Sequence, residues 1–559
     1  MHAFFRTSTF LLTLVFTALA LAGWALWPRD VSPTAVPLPL GPDDQEIVWL
    51  YPATNTAAWE RFVYAVKDLG NGKGEEAEAL SFAIHDLAFP PQSAVTPEIS
   101  LSIPGRAGRL CIRWYKLTGD QDTRYWVQQL LDRQPPPLAI IGGSTSSAAI
   151  ELAQCLADET NIRQQSDRAP LLLLTTATAD DLPDSQLTQI PLTSVYPNRT
   201  FRFCFTNGQM AQAVTEFLRQ QPELWPDMDP VYMVHWRDDP YSRDLSRRFL
   251  EALRQPAAIG AAGDWMRAAS VAAGSGPPLD LAHWARGSFR LDTPASWALP
   301  HSIGTFDRPN RLEVAEASRL MRMKLEQFPQ QKQPLLIVPG ASGPVRRFLV
   351  ALRRASPEEA RRFVVATGDA IAFNTIFRDR NIAWPIQDLP FRLVLFCHRN
   401  PVDPQAGFPL DFINKAPDSS ELKGKLAGTE DLLLYDDLVD ALGFAWRKIL
   451  EPGQSPPAQP TASALDTAMR ETRWRRSIDR VSSGDRRLPF FDSQGNRLSG
   501  TGEHVVYLRP VVRGNAQLAE AVVEVWAWQT SLTDGRRRWL MRASLPIHYD
   551  GSLDQEPGF

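Results

Sequence analysis

The feature of this sequence that most suggests binding chemistry is a run of four small hydroxyl residues, Ser144, Thr145, Ser146 and Ser147. They follow a short apolar run that ends in two glycines, and an alanine-rich pattern typical of a helix begins among them. The first N–H groups of a helix are unpaired and lie at the positive end of its dipole. Added hydroxyl donors would therefore make a site for a carboxylate or another anion. The alternative is that one of the serines simply caps the helix.

Repeated pairs of a short apolar strand and a helix surround this run. The strands include 137–143, 170–176, 334–340 and 362–368, and the clearest amphipathic helix is predicted at 429–450. Such alternation predicts an α/β fold in which mostly parallel sheets are flanked by helices on both faces. Ligands of these sheets bind at the carboxyl ends of the strands, which is where the four hydroxyls would lie.

Composition and charge exclude several classes of function. The 559 residues are too many for one simple core, so two lobes or domains are expected. The net charge of -4 and the pI of about 6.1 leave no basic excess to hold a nucleic acid. The 8 histidines are scattered, and neither H-E-x-x-H nor G-x-S-x-G occurs, so we expect no enzyme and no cofactor.

The four cysteines give no sign of a metal or redox site, because no C-x-x-C pair occurs. An exported protein can form disulfides, but the spacing leaves open whether these cysteines do or remain buried free thiols. They are Cys111, Cys155, Cys204 and Cys397.

The N-terminal segment predicts export. Residues 7–28 carry no charge and are long enough to span a bilayer. The segment would be an uncleaved anchor or a signal peptide cleaved after Ala20-Leu21-Ala22. Residues 29–45 follow as a proline-rich tether. Either alternative places the rest of the chain on the periplasmic side of an inner membrane.

Several stretches match one protein family in order along the chain. They include PLAIIGGSTSSAAIELAQCLADETN, PLLLLTTATADDL, DPVYMVHWRDDPYSRDLSRRFLEAL, PLLIVPGASGPVRRFLVALRR, RFVVATGD and LPFFDSQGNRLSG. Over residues 46 to 510 the sequence resembles the type I periplasmic binding proteins, specifically the leucine/isoleucine/valine-binding branch. Extracellular receptor ligand-binding regions share that fold. The resemblance implies a Venus flytrap, in which two α/β lobes are joined by three crossovers and hold a ligand in the cleft between them.

The resemblance divides the chain as follows. Residues 46–200 would form the first part of lobe 1, 201–390 the main part of lobe 2, 391–485 the return to lobe 1, and 486–559 the completion of lobe 2 with a C-terminal β extension. The three crossovers would lie near 199–207, 389–398 and 486–492.

On the first lobe, the resemblance assigns the ligand's α-carboxylate to the loop of Ser144–Ser147. Thr176, Ala177 and Thr178 would offer a hydroxyl and carbonyls to the carboxylate and the ammonium. Both loops follow a predicted buried strand, which suits that role. For Thr178 the alternative is an ordinary threonine in a turn.

On the second lobe, Tyr241 matches an aromatic residue that faces the cleft, and Asp369 would receive the ammonium of a zwitterion. The alternative to ligand binding is a structural role, which would be packing at a helix start for Tyr241 and capping of a helix for Asp369. Ser342 lies in GASGP (340–344), where the family often carries an aromatic ring that closes over an amino acid. Because no ring is present, the ligand would be larger, more polar or not an amino acid.

The function expected from the resemblance is a binding protein. It would capture an amino acid or a related small carboxylate for an ABC-type importer, with a permease as its partner. The alternative is an anchored flytrap that senses a ligand or binds a protein partner and has no role in transport.

Overall fold

Two sheets, one of seven strands and one of eight, organise the chain in a computed structural model. They belong to the unit Leu40–Phe559, which is distinct from the unit Met1–Pro39. The structure describes residues 17, 36–71, 80–85, 95–118, 121–164, 168–181, 190–221, 224, 231–236, 239–254, 296–299, 333–340, 345–346, 348–349, 362–371, 391–398, 429–450, 460–472, 489–498, 503–511, 520–530 and 537–548. Apart from Thr17, the predicted membrane segment 7–28 lies outside them. No helix within these ranges is both long and apolar enough to cross a membrane.

The first sheet has the strand order β2-β3-β4-β1-β5-β6-β7. Strands β4, β1, β5, β6 and β7 are parallel, and β3 and β2 extend the β4 edge in antiparallel fashion. In chain order, the five parallel strands are arranged 2-1-3-4-5, a doubly wound order whose switch point lies between β1 and β5. The strands are β1 Gln45–Pro52, β2 Ser81–His85, β3 Glu98–Ser102, β4 Leu110–Leu117, β5 Ala139–Gly142, β6 Leu171–Leu174 and β7 Thr200–Arg202.

Eight helices accompany the two sheets in the described ranges. They are α1 Thr56–Asn71, α2 Thr123–Asp132, α3 Ser146–Arg163, α4 Leu192–Val195, α5 Asn207–Gln220, α6 Pro240–Arg254, α7 Thr429–Ile449 and α8 Ala462–Arg470. The prediction of a helix at 429–450 is confirmed by α7.

The core of the first lobe is rich in aromatic side chains. Trp49 of β1 packs edge-on against Trp59 of α1 at 5.6 Å between ring centroids, and Trp59 stacks on Trp114 of β4 at 5.8 Å. Residues of α7 and α8 complete this face of the sheet. A fully buried aromatic side chain contributes about 4 kcal/mol of transfer free energy. This packing fixes the strands whose carboxyl ends carry the candidate site.

The second sheet repeats the strand order of the first. Its order is β15-β14-β13-β12-β11-β10-β8-β9, and the parallel strands β8 to β12 again follow 2-1-3-4-5, with the switch point between β8 and β10. Antiparallel strands β13, β14 and β15 extend the β12 edge. The strands are β8 Val231–Trp236, β9 Ser296–Leu299, β10 Leu335–Ile337, β11 Val364–Ala366, β12 Arg392–Cys397, β13 His504–Val511, β14 Glu520–Thr530 and β15 Arg537–His548.

The chain passes between the two sheets three times. It leaves the first after β7 and enters the core of the second with α5. It returns with α7, whose buried residues lie in the first core, and it crosses back between Phe491 and His504. The first and third crossovers run side by side, because the Arg202 N–H donates to the Gly495 carbonyl at 2.8 Å.

Strand β12 differs from the expected division of the chain. A boundary at residue 391 assigns Arg392–Cys397 to the first lobe, whereas the structure pairs this strand with β11 and β13 of the second sheet. The short apolar strand continues the parallel order of the second lobe and therefore belongs to its core. The second crossover accordingly follows His398.

Candidate ligand site between the lobes

The hydroxyl run forms the tight turn between β5 and α3. Gly143 has a φ of +73°, and a Cβ there would lie 2.7 Å from the Cβ of Ala149, so only glycine lets the strand turn this closely onto the helix. Thr145 is the N-cap, and its hydroxyl accepts a hydrogen bond from the Ala148 N–H at 3.2 Å. Capping is therefore the role of the threonine, and the serines lie on either side of it.

The two hydroxyl-bearing loops of the first lobe are bonded to each other. The Thr176 hydroxyl donates to the Ser144 carbonyl at 3.2 Å, and the buried Ser146 hydroxyl accepts from the Ala179 N–H at 3.2 Å. Ser147 is exposed. The sequence-predicted residues of this lobe thus form one polar surface at the carboxyl ends of β5 and β6.

Asn207, the first residue of α5, joins this surface to the second lobe. Its N–H donates to the Thr178 carbonyl at 2.8 Å, and its side-chain amide donates to the Tyr241 carbonyl at 3.3 Å and to Asp244 Oδ2 at 2.9 Å. Asn207 Oδ1 and the hydroxyl of Thr178 are buried and have no hydrogen-bond partner among the described residues. Buried polar atoms of this kind are costly, which makes them candidates for binding a ligand.

On the second lobe, Tyr241 and Asp369 lie together at the carboxyl ends of β8 and β11. The Tyr241 hydroxyl donates to Asp369 Oδ1 at 3.0 Å, and Asp369 Oδ2 lies 2.7 Å from His398 Nε2. Burial and the charge of Asp369 raise the pKa of the Tyr241 hydroxyl well above its ordinary value, so it stays a donor. Gly368 permits this contact, because a Cβ there would lie 2.5 Å from the Tyr241 hydroxyl oxygen.

Phe205 contacts both His398 and Arg497 beside the site. The His398 ring lies parallel to the Phe205 ring with centroids 5.6 Å apart, and the guanidinium carbon of Arg497 lies over the Phe205 ring at 4.3 Å from its centroid. Arg497 is buried and pairs with Asp437 at 3.1 Å. Burial lowers the pKa of the Arg497 guanidinium, and Asp437 opposes that shift.

Two residues of the first crossover hold the carbonyls of the Thr176–Thr178 loop. The Cys204 thiol donates to the Ala177 carbonyl at 3.3 Å, and Arg202 Nη1 donates to the Thr178 carbonyl at 3.4 Å. Burial raises the pKa of the Cys204 thiol to about 12. All four cysteines are buried free thiols in the structure.

An ion cluster joins the two lobes beside the site. Asp181 of the first lobe pairs with Arg247 at 2.5 Å and Arg248 at 2.7 Å on α6, and Asp180 pairs with Arg248 at 3.3 Å. Arg247 also pairs with Asp244, whose Oδ2 accepts from the Asp180 N–H at 2.7 Å. Burial, followed by the negative charge of Asp180, raises the pKa of the Asp244 carboxyl. The cluster fixes the lobes relative to each other on this side of the cleft.

The structure thus brings together nine of the ten sequence-predicted residues, and Ser342 lies outside the described residues. Sequence reasoning missed His398, Asn207 and the ion cluster. His398 directly follows an apolar strand, the signal that singled out Asp369, whereas Asn207 at a helix start carries no comparable signal. Within the described ranges, no group of His, Cys, Asp and Glu is placed to hold a metal ion.

Both sheets share the order 2-1-3-4-5, the chain crosses between them three times, and the predicted residues gather between their carboxyl ends. The chain has the fold of the type I periplasmic binding proteins. The predicted two-lobed α/β architecture is therefore confirmed.

No family model and no curated protein matches the sequence. Three solved structures are similar over most of the chain. A leucine-binding protein from Thermotoga maritima is 13% identical, with 90% of this chain and 98% of that one covered and a TM-score of 0.44. A solute-binding protein of an ABC transporter from R. palustris, solved with 4-hydroxybenzoate, is 9% identical, with 90% and 97% covered and a TM-score of 0.44.

The third is the C-domain of LpoA from Haemophilus influenzae, described as a regulator of PBP1A. It is 10% identical, with 89% of this chain and 100% of that one covered and a TM-score of 0.34.

Proposed function

We propose that this protein captures an amino acid or a related small carboxylate in the cleft between its lobes. The observation that carries the proposal is the convergence of polar groups from both lobes on Asn207. This residue bonds the Thr178 carbonyl on one side and the Tyr241 carbonyl on the other. Both groups lie at the carboxyl ends of doubly wound sheets, where ligands of such sheets bind.

The two sides of the site suit the two ends of a zwitterion. On the first lobe, the N-terminus of α3 and the unpartnered hydroxyl of Thr178 supply donors for a carboxylate. On the second lobe, Asp369 supplies a carboxylate for a cationic group, with its side chain 15% exposed. The Thr178 hydroxyl is already removed from water in the folded protein. A hydrogen bond that it gains from a ligand therefore adds to the affinity without a further desolvation cost.

We further propose that the captured molecule is delivered to an ABC-type importer, from the periplasmic side of an inner membrane. The uncharged segment 7–28 supports this role, either as an anchor or as a signal peptide. Neighbouring genes for a permease and an ATPase would support it, whereas a neighbouring kinase or secretion cluster would favour sensing.

The ion cluster between the lobes favours a second candidate function, in which the flytrap binds a protein partner or reports to one. Asp181 is paired directly with both Arg247 and Arg248 across the two lobes. A cleft held in this way has less need of a ligand to keep its lobes together. The same binding experiment separates the two candidates.

The test is a thermal-shift screen of the full chain, purified in mild detergent, against amino acids, small carboxylates, polyamines and ureas. A ligand at 100 times its Kd stabilises the folded state by about 2.7 kcal/mol. Thr178→Val and Asp369→Asn should abolish the shift. Thr215→Val is the matched control, because Thr215 also has a buried hydroxyl without a partner among the described residues but lies on α5. No shift with any compound at millimolar concentration would refute ligand capture and favour the second candidate.

A further inference from the structure

His398 is buried at the base of the site, with only 3% of its side chain exposed. Its Nε2 lies 2.7 Å from Asp369 Oδ2, and its ring is stacked on Phe205 and perpendicular to Phe396. Its other nitrogen, Nδ1, is buried and has no hydrogen-bond partner among the described residues. The ring is thus held by two aromatic contacts and at one nitrogen.

This environment selects one form of the imidazole. An ionised Asp369 carboxylate accepts hydrogen bonds but cannot donate one. The ring proton that faces it must therefore be on Nε2. A second proton on Nδ1 would have no acceptor among the described residues and would be buried next to Phe205, which Arg497 covers with a positive charge at 4.3 Å. The neutral ring with its proton on Nε2 is therefore the form that fits these contacts.

Asp369 is in turn held by two neutral donors. Tyr241 donates to Oδ1 at 3.0 Å and His398 to Oδ2 at 2.7 Å. Hydrogen bonds of this kind favour the ionised carboxylate and fix its orientation without cancelling its charge. The negative charge at the cleft base is then free to attract a cation.

We propose that His398 is a positioning residue that keeps Asp369 ionised and oriented for the ligand's cationic group, and that protonation of His398 turns this capture off. The inference rests on the proposed function. When His398 gains a proton, it becomes the cationic partner of Asp369 and competes with the ligand's ammonium. Because a protonated ring and the ligand's ammonium compete for the same carboxylate, capture weakens as the pH falls.

The charged groups around His398 are few in the described part of the chain. Asp369 faces it from the loop after β11, with Tyr241 of α6 bonded to the same carboxylate. Arg497 lies over the ring of Phe205, and the negative charge of Asp369 acts on the Cys204 thiol of the first crossover. Glu503 and His504 are buried beside the same end of β12, because His504 of β13 is paired with Cys397.

The first experiment needs no ligand. The full chain is labelled with ¹⁵N-histidine, and the His398 ring signals are assigned with His398→Gln and followed from pH 5 to 8. We expect the tautomer with the proton on Nε2 at pH 8, and this preference should weaken in Asp369→Asn, whose side-chain amide can donate a hydrogen bond as well as accept one. A ring that carries its proton on Nδ1, or that stays charged throughout, would overturn the inference.

The second experiment measures affinity for two matched pairs of probes, leucine with 4-methylpentanoate and phenylalanine with 3-phenylpropionate. For the amine-bearing member, the apparent Kd should rise between pH 8 and pH 5, by at most about tenfold per pH unit because one proton competes. The carboxylate without the amine should show no such rise. His398→Gln, which keeps a donor but cannot be protonated, should bind within about threefold of the wild type at pH 8 and lose the pH dependence.

Two further variants complete this experiment. His398→Phe keeps the stacking but removes the donor, and it should weaken amine binding by at least tenfold at pH 8. His85→Gln, at an exposed histidine of β2, should keep the wild-type pH profile. A wild-type pH profile in His398→Gln would overturn the inference. Failure of every probe to bind at every pH would refute the proposed function instead, and the tautomer measurement would then decide the role of His398 by itself.

Discussion

Loss of Arg248 should loosen the lobes more than loss of Asp181, although the two residues form one ion pair. Arg248 lies within 4 Å of four carboxylates, at 2.7 Å from Asp181, 2.8 Å from Glu251, 3.3 Å from Asp180 and 3.8 Å from Asp244. Among the described residues, Arg247 is the other arginine paired with these acids, through Asp181 and Asp244. Arg248→Gln leaves the acids facing a single arginine, whereas Asp181→Asn relieves repulsion among them.

The expected sizes follow from burial. Removal of one partner of a buried ion pair costs about 3–5 kcal/mol. The side chain of Arg248 is 21% exposed and Arg247 remains, so we expect about 2–3 kcal/mol for Arg248→Gln. For Asp181→Asn the relieved repulsion offsets most of the loss, and we expect about 0–1 kcal/mol.

Amide hydrogen exchange reports this difference directly. The Asp180 N–H donates to Asp244, and the Gly208 N–H donates to Asp180 Oδ2 at 2.6 Å. Opening of the cluster exposes both amides. Exchange at these amides should accelerate about 30- to 150-fold in Arg248→Gln, the equivalent of 2–3 kcal/mol, and about fivefold or less in Asp181→Asn.

A surface ion pair provides the control. Asp158→Asn breaks a pair with Arg124 whose side chains are 55% and 47% exposed, and it should leave exchange at Asp180 and Gly208 unchanged. Added salt should reduce the difference between the two cluster variants, because the arginines are partly solvated. Equal acceleration in Arg248→Gln and Asp181→Asn, or none in either, would refute the argument from charge balance.

Three further outcomes are expected. Burial raises the pKa of Asp244, so its contribution to stability is present at about pH 4 and below and is lost as the pH rises through the raised value. The free energy of unfolding, measured with urea, should therefore fall less between pH 4 and pH 7 in Asp244→Asn than in the wild type. An equal fall in both proteins would contradict the raised pKa of Asp244. Gly368→Ala places a Cβ 2.5 Å from the Tyr241 hydroxyl oxygen and should cost about 1–3 kcal/mol in the same measurement, whereas an unchanged midpoint would mean that the loop yields freely. Because the pKa of Cys204 is about 12, this thiol should react with a disulfide reagent at pH 8 only after unfolding, and rapid labelling of the native chain at Cys204 would refute its burial.

Local sequence signals were sufficient to predict the main strands and the turns that follow them. Gly142 and Gly143 after an apolar run predicted the turn from β5 to α3. The resemblance to the binding-protein family singled out Thr178 and Asp369, and the predicted buried strands before them supported that choice. The predicted roles of these residues in binding a ligand stay predictions.

The contacts between distant segments could not be predicted in this way. Asp181 and Arg248 are 67 residues apart, and Gln209 and Arg497 are separated by 288. Nothing in DDLPD or SRRF indicates that the two segments face each other, since their meeting depends on the angle between lobes. The pairing of His398 with Asp369 likewise depends on the parallel register of β11 and β12.

The shared strand order of the two sheets gives the cleft a pseudo-twofold frame with unequal chemistry. Strands β6 and β11 are each the fourth strand in the 2-1-3-4-5 order of their sheets. The loop of Thr176–Thr178, which follows β6, and the loop of Asp369, which follows β11, are therefore topological counterparts. One presents hydroxyl and carbonyl groups, and the other presents a carboxylate held by a phenol and an imidazole. A symmetric frame by itself would accept a dipolar molecule in either direction. Because the two counterparts differ in charge, a molecule held between them has one polarity, and its ends are distinguished before any side chain specific to its shape is involved.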